Sequence, residues 1–109
     1  MGLVSSSRRI MTIDKVAVQK IIDSDTVVIF SKSTCPYCTK AKNAFKQLGK
    51  DFKVIELDQE DDCAGYQDAL GEITGARTVP RVFVNGKFIG GGDKVAEMLK
   101  TGELAKLFD

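Results

Sequence analysis

The chain has no histidine, no tryptophan, two prolines and three cysteines among 109 residues, with a formal net charge of +1. Each shortage excludes something. A structural zinc site draws four ligands from cysteine and histidine, and here one close cysteine pair is supplemented only by Cys63. Near-neutral charge gives nucleic acid no long-range attraction, and without tryptophan or an aromatic-plus-basic cluster there is no platform for stacking bases. Nucleic acid is not an expected partner. No apolar run approaches the roughly 20 residues of a membrane-spanning helix, and no glycine-rich dinucleotide fingerprint is present. An odd cysteine count without a secretory signal argues against a disulfide framework and for a reducing, cytoplasmic setting. The remainder, 43% apolar and 28% charged, is ordinary globular composition. At this length one soluble domain with one core is expected.

Residues 1–11 differ from the rest: Ser5, Ser6, Ser7, Arg8 and Arg9 occur without any acid. They are expected to be a flexible extension ahead of a domain over residues 12–109. Met1-Gly2-Leu3-Val4-Ser5-Ser6 fits the myristoylation pattern, with Gly2 as acceptor. One acyl chain binds membranes only marginally, and Arg8 and Arg9 would supply the second, electrostatic signal for weak membrane association. A Ser- and Arg-rich, acid-poor start also describes an organelle-targeting peptide. Both readings stand beside the cytoplasmic one.

Apolar residues at Ile13, Val16, Ala17, Ile21 and Ile22 recur at helical spacing and predict a helix over 12–23, capped by Thr12. Thr26 to Phe30 is a short β-branched run suited to a central strand. A loop from Ser31 to Thr34 leads to Cys35-Pro36-Tyr37-Cys38, where Pro36 marks the first helical position. Ala41, Ala44, Phe45 and Leu48 continue that helix to a stop at Gly49, and Lys40, Lys42 and Lys46 read as its solvated face. Phe52 to Leu57 is a second strand, parallel to the first across a βαβ unit. A third helix is expected from Cys63 to Ile73, with Asp58, Glu60, Asp61 and Asp62 before its start. Asn85-Gly86 between Arg81–Val84 and Lys87–Ile89 signals a hairpin. Asp93 is then expected to cap a helix over Lys94–Lys100, and 102–108 to form a last short helix. No internal repeat is present. The order α-β-α-β-α-β-β-α-α predicts an α/β domain, a four-stranded mixed sheet flanked by helices on both faces.

The cysteine pair lies where a strand gives way to a helix. At that N-terminus, unpaired N–H groups, the helix dipole and nearby Lys32 all favour an anion at Cys35. Cys38, one turn on, lies on the same face and deeper. Cys35 is therefore the expected nucleophile and Cys38 the resolving partner. Lowering a thiol pKa from about 8.5 to about 4.5 raises the neutral-pH thiolate roughly 30-fold but cuts intrinsic nucleophilicity roughly 40- to 100-fold. The gain is in departure from a mixed disulfide, which suits reversible exchange with small thiols. The rival reading for such a pair is an iron–sulfur cluster bridged between two chains. Cys63, near acidic residues, reads as a bystander.

Three motifs, Cys35-Pro36-Tyr37-Cys38, Thr78-Val79-Pro80 and Gly90-Gly91-Gly92-Asp93, closely resemble those of the dithiol glutaredoxins, a thioredoxin-fold family of glutathione-dependent oxidoreductases. The resemblance spans about residues 12–108. It implies that Cys35 forms a mixed disulfide with glutathione, a co-substrate, and that Cys38 closes an intramolecular disulfide. It also implies a cis bond before Pro80, with Val79 offering its backbone to glutathione like an added strand. Lys32, Gln67 and Arg77 resemble the family's residues at the glycine carboxylate. Gly91, Gly92 and Asp93 match its γ-glutamyl end, where the N–H groups of Gly92 and Asp93 suit a carboxylate and the Asp93 side chain suits the amine. Tyr37 would wall the thiol and Thr78 shape the turn. Many relatives carry cysteine where this chain has Gly92, so any regulation through that thiol is absent. The expected partners are glutathionylated or disulfide-containing proteins, with glutathione reductase acting indirectly through oxidised glutathione. A monomer without metal is expected, and a glutathione-ligated [2Fe-2S] carrier or sensor is the alternative function.

Overall fold

The computed structural model describes residues 13–109. The expectations for the N-terminal extension, including Gly2, and for a Thr12 cap lie outside the described residues. The elements are α1 (Lys15–Ile22), β1 (Val27–Ser31), α2 (Pro36–Leu48), β2 (Lys53–Glu56), a 3₁₀ turn (Leu57–Gln59), α3 (Cys63–Thr74), β3 (Arg81–Val84), β4 (Lys87–Gly90), α4 (Gly92–Thr101) and α5 (Glu103–Lys106). No helix among the described residues is long and apolar enough to cross a membrane.

The sheet runs β2-β1-β3-β4, with β1–β2 parallel and the other pairs antiparallel. Every residue of β1 is buried, because helices cover both faces, and that is why the strand reads as a continuous apolar run. Successive side chains of β1 point to opposite faces. Val27 and Ile29 pack with Ala41, Phe45, Val95 and Leu104, while Val28 and Phe30 pack with Val18, Ile22, Tyr66 and Leu70. Thus α2, α4 and α5 cover one face, and α1 and α3 the other.

Several boundaries differ from those expected. Asp14 caps α1, its carboxylate accepting from the Ala17 N–H at 2.9 Å, so the helix starts at Lys15. The second strand ends at Glu56, where fully buried Leu57 turns into the 3₁₀ segment. The fourth helix starts at Gly92 with Gly91 at the cap position, which leaves the Asp93 side chain in the first turn without a capping bond. The hairpin is as expected: Asn85 and Gly86 have φ of 52° and 80°, the two positive angles of a primed turn.

Register positions the site. Phe30 pairs with Arg81 and Val82 with Gly90. The end of β1, the start of β3 and the end of β4 therefore lie at one end of the sheet. The segments attached there, Lys32–Cys35, Thr78–Pro80 and Gly91–Asp93, are brought side by side although they lie far apart in sequence.

Candidate active site

Cys35 is the N-cap of α2, in extended backbone conformation, and its Sγ accepts a hydrogen bond from the Cys38 N–H at 3.2 Å. The sulfur thus occupies the place a serine or aspartate oxygen usually takes at a helix start. An anion there meets unpaired N–H groups and the positive end of the dipole. Cys35 is half-buried and Cys38 wholly buried, and both are free thiols. Burial, seconded by the hydrogen bond with Cys35, pushes the Cys38 thiol up to about 11 from an ordinary 9.0, and contacts with the Lys32 backbone and Ser31 oppose the rise without cancelling it. One cysteine is thus presented and the other kept protonated.

The Cys35 thiol faces the Val79 carbonyl oxygen at 3.9 Å. The Val79–Pro80 bond is cis. On the other side, α4 begins against the Cys35–Cys38 turn. A Cβ at Gly92 would sit 2.5 Å from the Tyr37 carbonyl oxygen, so without a side chain the two segments come closer than a residue with a Cβ would let them. Tyr37 is 54% exposed, and Lys40 Nζ lies 5.3 Å from its ring centroid. Lys40 also pairs with Asp93 at 2.8 Å, which raises the lysine pKa. Lys40 and Lys46 are exposed, as expected of the solvated face of α2, and the expectation is corrected at Lys42, which is drawn inward to bond Glu56 at 2.7 Å.

The three residues expected at the glycine carboxylate do not converge in the same way. Gln67 donates to the Arg77 carbonyl at 3.1 Å and accepts from the Cys63 thiol at 3.5 Å. The Arg77 guanidinium lies back along α3, its Nε bonded to Asp68 at 2.9 Å. Lys32 leads into a loop pinned from below, where Asp58 accepts from the Ser33 N–H at 3.0 Å and from its hydroxyl. Those bonds, with a smaller contribution from Lys32, lower the Asp58 pKa. Thr78 is exposed and its hydroxyl accepts from Arg81 at 3.3 Å, in keeping with a turn-shaping part. Sequence reasoning missed Ser31, Lys40 and Arg81. Ser31 closes an apolar run, and nothing in its spacing distinguishes it. Lys40 looks like any surface lysine, and Arg81 like the first polar residue of a strand.

The arrangement presents a capped thiol between a backbone edge at Val79 and a helix start at Gly92, with a second, protonated thiol one turn behind. That is suited to thiol–disulfide exchange on an extended peptide-like ligand carrying an anionic group. The sequence model of the family described as Glutaredoxin matches residues 27–89. Glutaredoxin-C4 of Arabidopsis thaliana is 54% identical over 90 residues, covering 83% of this chain and 67% of the relative. The crystal structure of oxidised glutaredoxin 2 from Chlamydomonas reinhardtii superposes with a TM-score of 0.82 at 51% identity, covering 86% of this chain and 89% of that one. The buckwheat glutaredoxin–glutathione complex gives 0.82 at 45% identity, covering 85% and 84%.

Proposed function

The chain belongs to the glutaredoxin family and is a glutathione-dependent thiol–disulfide oxidoreductase, and we propose that it works through a glutathionyl intermediate on Cys35. The Cys35 thiolate attacks the glutathione sulfur of a protein–glutathione mixed disulfide. A Cys35–glutathione disulfide forms, the original disulfide breaks, and the substrate leaves as a thiolate that takes up a proton. A second glutathione thiolate attacks the same glutathionyl sulfur, releasing oxidised glutathione and restoring the Cys35 thiolate. The Cys38 thiolate can instead attack Cys35 Sγ, breaking its bond to glutathione, which leaves as a thiolate and takes up a proton, so that the Cys35–Cys38 disulfide remains. The electrons thus come from glutathione, and a separate reductase recycles the oxidised form. The substrates are glutathionylated proteins together with protein or low-molecular-weight disulfides.

The observation that carries this reading is the contrast between the two thiols. With the Cys38 thiol pushed up to about 11, only roughly 10⁻⁴ of it is thiolate at pH 7. Burial, the first cause of that rise, does not depend on Cys35. Resolution by external glutathione is therefore the main route and Cys38 the slower one. In the bound state glutathione lies along the Val79 backbone beside Pro80, with Tyr37 as a wall. Its γ-glutamyl end meets Gly91, Gly92 and Asp93, where the incoming amine displaces Lys40 from Asp93. Its glycine carboxylate is reached by Lys32, Gln67 and Arg77 once Arg77 swings from Asp68.

Cys35→Ser is expected to abolish turnover of a glutathionylated peptide, and Cys38→Ser to leave it within about threefold of wild type, since the main route does not use Cys38. Equal loss in both variants contradicts the one-thiol route. A coupled assay supplies electrons through glutathione with glutathione reductase or through thioredoxin reductase. Activity with the second source alone overturns the glutathione reading.

A further inference from the structure

Arg81 opens β3 directly after Pro80. It is half-buried, and burial holds its pKa below the ordinary arginine value. Among the described residues no carboxylate lies within ion-pair distance of it. A partly desolvated guanidinium without a counter-ion is unfavourable unless its donors are used. They are used on three acceptors: Nε donates to the Pro80 carbonyl at 3.2 Å, Nη2 to the Thr78 hydroxyl at 3.3 Å and Nη1 to the Thr74 hydroxyl at 3.4 Å. The guanidinium carbon also lies 4.8 Å from the Phe88 ring centroid, within cation–π range.

These partners are not scattered. Thr78 and Pro80 are the residues on either side of Val79. Thr74 ends α3 and Phe88 belongs to β4. One side chain therefore ties a helix, a strand and the intervening loop together around the residue whose carbonyl faces Cys35 Sγ. We propose that Arg81 is a positioning residue for glutathione transfer: by holding Thr78 and Pro80 it brackets Val79 and fixes the orientation of the Val79 N–H and C=O for the peptide portion of glutathione. The inference rests on the reading of Val79 as a glutathione contact. Arg81 bonds neither reacting sulfur, so its effect falls on ligand binding and not on the thiol chemistry. The part requires a planar fork of donors, because a lysine ammonium is a single point that cannot serve three separated acceptors from one stem.

The test measures kcat and KM for a glutathionylated peptide in wild type, Arg81→Gln and Arg81→Lys. The same peptide carrying a cysteinyl group serves as control, with the iodoacetamide alkylation rate of Cys35 and circular dichroism recorded alongside. Losing the bracket is expected to raise KM roughly 5- to 10-fold in both variants with kcat nearly unchanged. Alkylation of Cys35 should stay within about twofold of wild type, since it needs no Val79 backbone contact. An unchanged KM in Arg81→Gln overturns the inference. Full recovery in Arg81→Lys also overturns it, by showing that charge alone is needed. A parallel drop in alkylation, or unfolding of both variants, assigns Arg81 to general stability instead. These outcomes leave the glutathione reading intact. Failure of the wild-type chain to prefer the glutathionyl over the cysteinyl peptide defeats that reading, and the bracket with it.

Discussion

Val79 and Gly92 flank the Cys35 turn from two different strand ends and are held there by opposite means. Val79 is held by polar bonds from a half-buried arginine to the residues on either side of it. Gly92 is held by the absence of a side chain, which lets α4 start within van der Waals reach of the Tyr37 carbonyl. The first arrangement is divisible, since each bond contributes on the order of 1 kcal/mol and can be lost singly. The second rests on a single contact, because a Cβ at 2.5 Å from a backbone oxygen makes one segment move, by more as the side chain grows. Around Gly92 the side-chain contact is the exposed Lys40–Asp93 pair, a kind of interaction that contributes little. One flank thus depends on many small polar terms and the other on one steric fit.

Breaking the steric fit should have the largest effect. Gly92→Val is expected to destabilise the protein by about 3 kcal/mol, the upper part of the usual range for overpacking. It should also cut kcat/KM for a glutathionylated peptide at least tenfold, as thermal unfolding and steady-state kinetics would show. Near-wild-type values would mean that the two flanks are equally adaptable.

Next comes the buried thiol between the flanks. The Cys38 pKa is raised from 9.0 to about 11 in the fold. The folded protein therefore keeps this proton where the unfolded chain has lost it, so the stabilisation is full below pH 9 and is lost as pH rises toward 11. By about pH 10.5 the loss attributable to Cys38 should reach about 2 kcal/mol. Comparing wild type with Cys38→Ser isolates it from Tyr66, whose hydroxyl is also pushed up, to about 12, by burial and Glu60. Parallel pH profiles for the two proteins would remove Cys38 as a buried proton store.

The smallest effect belongs to the exposed pair. Lys40→Met frees Asp93 for a ligand amine and should lower KM for a glutathionylated peptide by less than about threefold. About 1 M salt should erase the difference by screening the pair. A large change that survives salt would make Lys40 a principal determinant of the Gly92 flank.

Much of this was legible in the sequence because it is local. A β-branched run, a proline at the first helical position, Asn85-Gly86 and glycines at helix ends each act within a few residues of where they stand. The positions of β1, α2 and the hairpin followed from them. Asp93 misled as a cap, because a polar residue after glycines suits that role equally well and only the backbone shows that Gly91 occupies it. Lys42 misled for a different reason, and the partner of Lys40 could not be read at all. Helical periodicity reports which residues share a face, not what crosses that face. Lys42 meets a residue 14 positions away and Lys40 one 53 positions away. The Arg81 bracket depends in the same way on how α3, the Val79 loop and β4 meet, and no spacing in the chain encodes it.

If Cys35, set between the two flanks, is the nucleophile, it retains the glutathionyl half of a mixed disulfide. Intact mass and peptide mapping of Cys38→Ser, after exposure to one equivalent of a glutathionylated peptide, test it directly. A single glutathione on Cys35 and stoichiometric release of the free peptide thiol are expected. Peptide retained on Cys35 in place of glutathione, or glutathione found on Cys63, would contradict it.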